Sequence, residues 1–196
     1  MKLKRWLVTG SASVIRVLDL VFSVAALIAL SPILLLVLVV VSADGGQPIF
    51  VQRRMGRRML QFNIYKFRTM EINTPTAPTH EITRDRVSRT GRLLRRTKVD
   101  ELPQLVNVLL GDMSLIGPRP CLPSQETVID SRQRRGVFNV RPGVSGLAQI
   151  LGVDMSTPDR LARLDARMIQ KLDLCCYLNL IRLTLTGRGR GDRIRL

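Results

Sequence analysis

Apolar residues dominate residues 20–43, a run that contains no charged side chain. About 20 apolar residues are enough for a helix to cross the hydrocarbon core of a bilayer, so this run predicts a membrane helix. A cleaved signal peptide is disfavoured because the run is too long and no small-residue cleavage site precedes the polar part. The pattern therefore predicts a retained membrane anchor.

Two features of this run favour a helix that enters and leaves the membrane on one side. Ser31 and Pro32 lie near its middle, where a proline removes a backbone hydrogen bond and kinks the helix. Each arm of about 12 residues would rise roughly 18 Å, little more than half of a ~30 Å hydrocarbon core. Both flanks are also basic, which keeps both ends in the cytoplasm. A single kinked helix that crosses the membrane is the alternative.

Short strand-like segments follow the apolar run. Residues 48–52 and 62–67 predict two strands, joined by a basic turn at residues 53–58. A Thr/Pro-rich loop comes next, and the single histidine, His80, lies in it. We expect this histidine to be solvated and to have no catalytic role.

The second half of the chain has helical patterns. A basic helix is expected at residues 89–96, and the next helix has Asp100 as a suitable N-cap and Gly111 as a suitable stop. A third helix begins near Pro158. Residues 174–185 are apolar and precede a basic tail, which predicts either a helix on the membrane surface, with its tail on anionic head groups, or a buried core helix.

These patterns predict an α+β fold that is mostly helical, with a short β-hairpin and an N-terminal helix–break–helix membrane segment. A chain of 196 residues has room for one modest domain and an anchor. We expect the membrane segment at residues 1–44 and a cytoplasmic domain, with helices on the membrane surface, at residues 45–196.

The amino-acid composition limits the classes of partner that the chain is expected to bind. The formal charge of +16 indicates anionic partners, such as nucleic acid, anionic membrane lipids or phosphorylated substrates. Nucleic acid is disfavoured because an aromatic content of 4% leaves few platforms for base stacking. Cys121, Cys175 and Cys176 have no CxxC spacing, and one histidine does not complete a usual zinc site. We expect reduced cysteines that serve in packing.

Two adjacent carboxylates, Asp100 and Glu101, lie at a predicted helix N-terminus. The helix dipole favours their ionised forms, which keeps them available as nucleophiles or metal ligands. Carboxylate oxygens suit Mg²⁺, which bridges them to phosphates, and an aspartate can attack phosphorus to form an acyl phosphate. Most pairs of this kind simply cap helices, and that interpretation stays open.

Cationic side chains in short polar motifs strengthen the chemical interpretation. Arg95 and Arg119 flank the carboxylate pair, and Lys66, Arg68 and Arg141 lie in other short motifs. Phosphoryl transfer needs spread-out negative charge to be neutralised, and arginine forks match phosphate oxygens. These residues predict a phosphate site, although any one arginine is equally consistent with a solvated surface charge.

The chain resembles the bacterial sugar transferases, or monotopic phosphoglycosyl transferases, in their minimal form. The resemblance covers most of the chain and rests on four motifs in order: Lys66-Phe-Arg-Thr-Met70, Asp100-Glu-Leu-Pro-Gln104, Gly111-Asp-Met-Ser-Leu-Ile-Gly-Pro-Arg-Pro120 and Arg141-Pro-Gly-Val-Ser-Gly-Leu-Ala-Gln149. The break at Ser31 and Pro32 is similar to the re-entrant helix of this family. The resemblance thus implies one-sided insertion at the cytoplasmic face of a bacterial inner membrane.

The resemblance also implies a two-step, Mg²⁺-dependent reaction that begins the assembly of a surface glycan. Asp100 would attack the β-phosphate of a UDP-sugar, release UMP and carry the sugar phosphate covalently. A polyprenyl (undecaprenyl) phosphate would then take it to give a polyprenyl diphosphate sugar. Glu101 is expected to assist with Mg²⁺ or protons, and both carboxylates are candidate metal ligands. The candidate phosphate or substrate contacts are Arg119, Arg95, Lys66, Arg68, Arg141 and Gln149.

The chain departs from the family pattern in two places, and the one at Val153 leaves the donor sugar open. Many members carry Asn-Gly-Arg after the position of Gln149, whereas this chain has Val153 at the arginine position, and Lys98 and Val99 replace a more usual Ser-Leu. The alternatives to this reaction are a UDP-releasing glycosyltransferase and a non-enzymatic basic module on the membrane. The sequence does not define the oligomeric state, and a homodimer is among the states it allows.

Overall fold

The computed structural model describes residues 9–43, 47–70 and 87–187. Its helices are α1 (Thr9–Ala29), α2 (Ser31–Ala43), α3 (Arg89–Thr97), α4 (Gln104–Leu110), α5 (Glu126–Gln133), α6 (Leu147–Ile150), α7 (Pro158–Lys171) and α8 (Leu174–Leu185). Its strands are β1 (Ile49–Met55), β2 (Gln61–Phe67), β3 (Ser114–Ile116) and β4 (Gly143–Ser145). The loop around His80 and the basic tail lie outside the described residues. The mostly helical α+β prediction is confirmed, and its domain division stays a prediction.

The break between α1 and α2 has a local cause. In an unbroken helix, the carbonyl of Ile28 would accept a hydrogen bond from the backbone of residue 32, but Pro32 has no N–H. The Ser31 hydroxyl donates to that carbonyl instead, at 2.8 Å. Helical bonding resumes with the amide of Leu34 and the carbonyl of Leu30, 2.9 Å apart. The break therefore lies at the dipeptide that the sequence indicated.

The far ends of α1 and α2 both pack on the rest of the protein. Near the start of α1, Ile15 joins a buried cluster with Tyr177 of α8. Near the end of α2, Val41 packs against β2 and α3. Ile28 and Ile33, beside the break, are exposed. The apolar turn between the helices thus points away from the domain that holds their ends.

Among the described helices, α1 alone is long and apolar enough to cross a membrane. Its window Ala12–Ala29 has a mean hydropathy of 2.1, and 17% of that window is buried against the rest of the chain. The second helix, α2, is apolar but has only 13 residues.

Two charged side chains fasten α1 to the domain. Arg16 donates to the carbonyl of Val108 at 2.8 Å, at the C-terminal end of α4, where the helix dipole favours a cation. Asp19 is buried, and a buried carboxylate needs hydrogen-bond partners. It accepts three bonds on one oxygen, from the Ser114 hydroxyl, the Leu115 amide and the Tyr177 hydroxyl.

The predicted β-hairpin is present, but its turn is shorter than expected. β1 and β2 pair antiparallel, with Val51 opposite Tyr65. β1 continues to Met55, so the turn begins after Met55 and not at residue 53. The reason is tertiary, because the Arg54 guanidinium donates to the carbonyl of Pro120 at 3.3 Å and keeps this charged residue in the strand.

A second, parallel pair, β3 and β4, was not predicted, since each strand has only three residues. Glycines allow the close approach of the segments around it. A Cβ on Gly143 would lie 2.0 Å from the backbone nitrogen of Gly117. The glycines of the two motifs around Pro118 and Pro142 therefore serve backbone packing.

The last helix, α8, contains both buried and exposed apolar residues. Tyr177 and Leu180 are buried, which matches a core helix. Leu178 and Leu185 are exposed on the same helix, and its position on a membrane surface stays a prediction. All three cysteines are free. Cys121 is buried as expected, whereas Cys175 is exposed, so the packing prediction is wrong for Cys175.

Candidate functional site

The two adjacent carboxylates lie in a tight turn between α3 and α4. Lys98 ends α3 in a left-handed conformation with φ of 59°, which is uncommon for a residue with a side chain. A single 3₁₀ turn, Val99–Glu101, follows, and α4 begins only at Gln104. The prediction that Asp100 caps the helix is therefore wrong, since the carboxylates precede it by a turn. Lys98, which departs from the family pattern, therefore lies between the end of α3 and the turn that carries the two carboxylates.

Two cations hold the Glu101 side chain. One carboxylate oxygen, Oε1, accepts from the Lys66 ammonium at 3.0 Å and from the Arg119 guanidinium at 2.9 Å. Burial alone would raise the pKa of Glu101, but the charges of Arg119 and Lys66 outweigh burial and hold this pKa well below its usual range. Glu101 is therefore ionised at every pH at which the protein is expected to work.

The Asp100 side chain has a different environment. It is buried, with only 8% of its surface exposed. Burial and the neighbouring charge of Glu101 raise the pKa of Asp100 to about 6, against the opposing charges of Lys66, Arg95 and Arg119. The expectation that a helix terminus would stabilise its ionised form is wrong, because desolvation is the larger effect.

β2 and α4 are tied together at this site. The Asn107 side chain of α4 donates to the carbonyl of Asn63 at 2.7 Å and accepts from the amide of Tyr65 at 3.1 Å. Asn107 is completely buried. This pair of bonds fixes the strand that carries Lys66 beside the turn that carries Glu101.

The loop that carries Arg119 is held by a buried ion pair that sequence reasoning missed. Arg132 of α5 donates to the carbonyl of Arg119 at 2.7 Å and binds one oxygen of Asp165 of α7 through two nitrogens, at 3.0 and 2.7 Å. Both side chains are almost fully buried. In the sequence they are ordinary helix charges, and no local signal distinguishes them.

Two further cations lie close to the carboxylates. The Arg95 guanidinium donates to the Thr69 hydroxyl at 2.9 Å, and its charge lowers the pKa of Asp100. The second of these cations is Lys98, for which the sequence predicts no role. Burial lowers its pKa, as does Arg119, while Glu101 and Asp100 act in the opposite direction. Lys98 is therefore part of the charged environment of the site.

Three predicted binding residues, Arg68, Arg141 and Gln149, make no contact with either carboxylate among the described residues. Arg141 donates to the carbonyl of Gly111 at 2.8 Å, and Gln149 donates to the carbonyl of Val144 at 3.2 Å. The Oε1 atom of Gln149 is buried without a hydrogen-bond partner. Their roles in substrate binding stay predictions.

The departure at Val153 is a packing feature. Its side chain is buried in an apolar cluster with Met55, Cys121 and Ala148. A side chain in this position contributes to the core, so Val153 itself is not available to contact a sugar.

The described residues contain no group of three or more His, Cys, Asp or Glu side chains suited to a metal ion. The two adjacent carboxylates of Asp100 and Glu101 are the candidate metal ligands at the site. Any cation held there would complete its ligands with water or substrate oxygens, as Mg²⁺ commonly does.

Comparisons with known proteins add the following. A family model described as "Bacterial sugar transferase" matches residues 10–188. The UDP-N-acetylgalactosamine-undecaprenyl-phosphate N-acetylgalactosaminephosphotransferase of Aeromonas hydrophila is 37% identical over 89% of this chain and 44% of its own length. The undecaprenyl-phosphate glucose phosphotransferase of Komagataeibacter xylinus is 38% identical over 87% of this chain and 35% of its own. The exopolysaccharide production protein PSS of Rhizobium leguminosarum bv. phaseoli is 39% identical over 80% of this chain and 82% of its own. The chain thus spans less than half the length of the first two relatives.

Proposed function

Because this chain belongs to the bacterial sugar transferase family, we propose that it transfers a sugar 1-phosphate from a UDP-sugar to a polyprenyl phosphate. Two relatives are named as undecaprenyl-phosphate sugar phosphotransferases, which supports this class of reaction. The observation that carries the proposal is the unequal carboxylate pair. Glu101 is held by two cations, whereas Asp100 beside it is buried and has a raised pKa of about 6.

Asp100 is the nucleophile in this proposal. A poorly solvated carboxylate is more reactive than a solvated one, and with a pKa of about 6 most of it is ionised at neutral pH. One Asp100 oxygen attacks the β-phosphorus of the UDP-sugar, and the bond to the bridging oxygen breaks, so UMP leaves. An oxygen of the polyprenyl phosphate then attacks the same phosphorus. The bond to Asp100 breaks, and the carboxylate is regenerated.

Lys66, Arg119 and Glu101 support the transfer. The two cations lie beside the reacting aspartate, where they can neutralise the phosphate charge that spreads during transfer. The Glu101 carboxylate keeps them in place before substrate binds. Arg95 supplies a third positive charge near Asp100.

The donor set fits a Mg²⁺ ion. This ion commonly takes one or two carboxylates and completes its octahedral shell with waters and substrate phosphates, which matches two adjacent carboxylates at a phosphate site. Asp100 and Glu101 would hold it, and when bound it would neutralise charge on the diphosphate.

A UDP-releasing glycosyltransferase is the second candidate. A carboxyl with a pKa of about 6 is also suited to act as a general base. The two reactions differ in the nucleotide that they release. The transfer of a sugar phosphate releases UMP, whereas the transfer of the sugar alone releases UDP.

We further propose that the α1–α2 segment enters and leaves the membrane on the cytoplasmic side. The support is that Ile15 and Val41 both pack on one domain. In one straight helix these residues would lie about 39 Å apart along the axis, at 1.5 Å per residue. The exposed apolar turn near Ile28 and Ile33 would then be the part that lies deepest in the bilayer.

The product nucleotide tests the proposed reaction. Purified protein is given Mg²⁺, undecaprenyl phosphate and each of a panel of UDP-sugars, and the released nucleotide is identified by chromatography. We expect UMP with at least one donor. UDP as the product would support the second candidate, and an absence of release from every donor would contradict both enzymatic proposals.

A further inference from the structure

A second charged site lies between α1, α7 and the loops around β3 and β4. It is a cavity of about 700 Å³, within the size range of small-molecule sites. Its lining includes the arginines Arg16, Arg57, Arg135 and Arg141, and α1 also contributes Asp19. None of Lys66, Asp100, Glu101 or Arg119 lines this cavity. The cavity is therefore distinct from the carboxylate site.

The positive charges in the cavity exceed the negative ones. Arg135 pairs with the exposed carboxylate of Asp159, at 3.3 Å. Arg16, Arg57 and Arg141 form no ion pair with any described carboxylate and donate instead to backbone carbonyls. Backbone carbonyls satisfy hydrogen-bond donors but do not cancel charge.

Asp19, the carboxylate on the cavity wall, is already engaged. Its Oδ1 atom accepts from the Ser114 and Tyr177 hydroxyls, at 3.1 and 2.8 Å, and from the Leu115 amide, at 2.9 Å. One carboxylate faces three arginines without an ion pair, so the cavity keeps a net positive charge that an anion would balance.

The arginines also repel one another. Burial lowers the pKa of Arg141, and the charge of Arg16 adds to this effect, partly opposed by Asp19. Burial likewise lowers the pKa of Arg57, and the charge of Arg141 adds to it. An anion bound among these side chains would relieve the repulsion.

The lining of the cavity also includes apolar residues and adjoins the apolar N-terminal segment. Ile15, Ile116, Ile169 and Leu172 line it. The helix that forms part of the wall, α1, continues directly into the apolar run, so the cavity lies where that helix would enter the head-group layer of a membrane. A ligand that matches this lining carries both a phosphate group and hydrocarbon.

We propose that this cavity binds the phosphate head group of an anionic phospholipid, with the first part of its acyl chains against the apolar lining residues. The arginines, and not the lipid chains, select the ligand, because guanidinium groups match phosphate oxygens. The inference requires the chain to lie at the membrane and does not depend on which nucleotide the transfer reaction releases. Its test therefore measures lipid binding and not activity.

The test uses the purified full chain in a zwitterionic detergent and calorimetric titration with dihexanoyl phosphatidylglycerol. The cavity variant, Arg57→Gln with Arg135→Gln, removes two charges from the cavity wall. The matched control, Arg58→Gln with Arg134→Gln, removes two charges from the adjacent positions, which do not line it. We expect saturable binding of about one lipid per chain in the wild type and the control. The cavity variant should bind at least tenfold more weakly.

A further variant that changes no charge distinguishes a loss of lipid binding from a loss of folding. Ala166 lines the cavity, and Ala166→Phe fills part of it while keeping every arginine. Thermal melting reports which variants fold, and Ala166→Phe should also lose at least tenfold in affinity. Equal affinity in all variants would overturn the proposal, since general surface charge would then hold the lipid.

Two further ligands test whether the cavity binds a phospholipid, free phosphate or a prenyl phosphate. Inorganic phosphate that displaces the lipid at equal concentration would make this a site for free phosphate and overturn the proposal. Farnesyl phosphate that binds at least tenfold more tightly than the phospholipid would make it a prenyl phosphate site, with the same consequence. We expect both to bind more weakly than dihexanoyl phosphatidylglycerol.

Discussion

Asp100 and Glu101 are neighbours in sequence and yet differ in charge behaviour. Glu101 faces two cations at hydrogen-bond distance, whereas Asp100 is buried beside a negative charge. Pairs of titratable groups whose environments push their pKa values apart commonly divide roles in catalysis. This difference is the basis for the proposal that Asp100 is the nucleophile and that Glu101 positions the cations.

The pH profile follows from the Asp100 carboxyl. Its pKa is raised to about 6, and only the ionised form is a nucleophile, so activity should rise with pH through about 6 and then level off. Below the pKa of Asp100, kcat/KM should fall about tenfold per pH unit. Glu101 adds no step in this range, because its pKa is held low. The measurement is kcat/KM for UMP release between pH 5 and 8, and a constant value down to pH 5 would contradict the assignment.

Some of these residues were predictable and others were not. Lys66, Arg119 and the carboxylate pair belong to sequence motifs, and the structure brings these four side chains together. The charge state of Asp100 was not predictable, because it depends on burial created by segments distant in sequence. Arg132 and Asp165 were missed for the same reason, as a buried ion pair has no local signature.

The ion pair between α5 and α7 offers a test of positioning. Arg132→Gln leaves the Asp165 charge buried and alone, which should cost about 3–5 kcal/mol of folding free energy. The double variant Arg132→Met with Asp165→Leu should recover much of that stability, since apolar replacements of buried pairs are often tolerated.

The double variant should still transfer poorly, because the carbonyl of Arg119 has lost its donor. We expect kcat to fall about tenfold or more while the melting temperature stays near that of the wild type. Melting curves and steady-state kinetics make the comparison. Wild-type kcat in a stable double variant would show that the pair has a purely structural role.

At the level of elements, sequence reasoning succeeded where the cause is local. The helix break was predictable because Pro32 lacks an N–H, and the stop at Gly111 was predictable because its φ of 93° favours glycine. The hairpin turn was placed too early because Arg54 looked like a turn residue. Its contact with Pro120 keeps it in the strand, and no local pattern shows that contact.

The topology of α1 and α2 makes a labelling prediction. In a chain whose native cysteines are replaced, Leu3→Cys and Arg58→Cys should both react with a membrane-impermeant reagent only from the cytoplasmic side. The reason is that both ends of the segment pack on one domain. Labelling of Leu3→Cys from outside the cell would contradict this topology and support a single helix that crosses the membrane.

At the level of the whole molecule, the charge of +16 is divided between different sites. Lys66 and Arg119 lie beside the carboxylates of Asp100 and Glu101, and Arg16 and Arg141 line a separate cavity beside α1. The sequence predicted anionic partners and a mostly helical α+β fold. It did not predict that the arginines form two groups, because that separation depends on how α1, α5 and α7 pack.

The central claim is that Asp100 carries the sugar phosphate covalently, and intact-protein mass spectrometry tests it most directly. The protein is mixed with Mg²⁺ and its UDP-sugar without polyprenyl phosphate, and the reaction is stopped with acid. We predict a mass increase of one sugar phosphate that maps to Asp100, accompanied by UMP, and abolished by Asp100→Asn. An equal mass increase in Asp100→Asn, or sustained UMP release by the wild type without any adduct, would contradict the account.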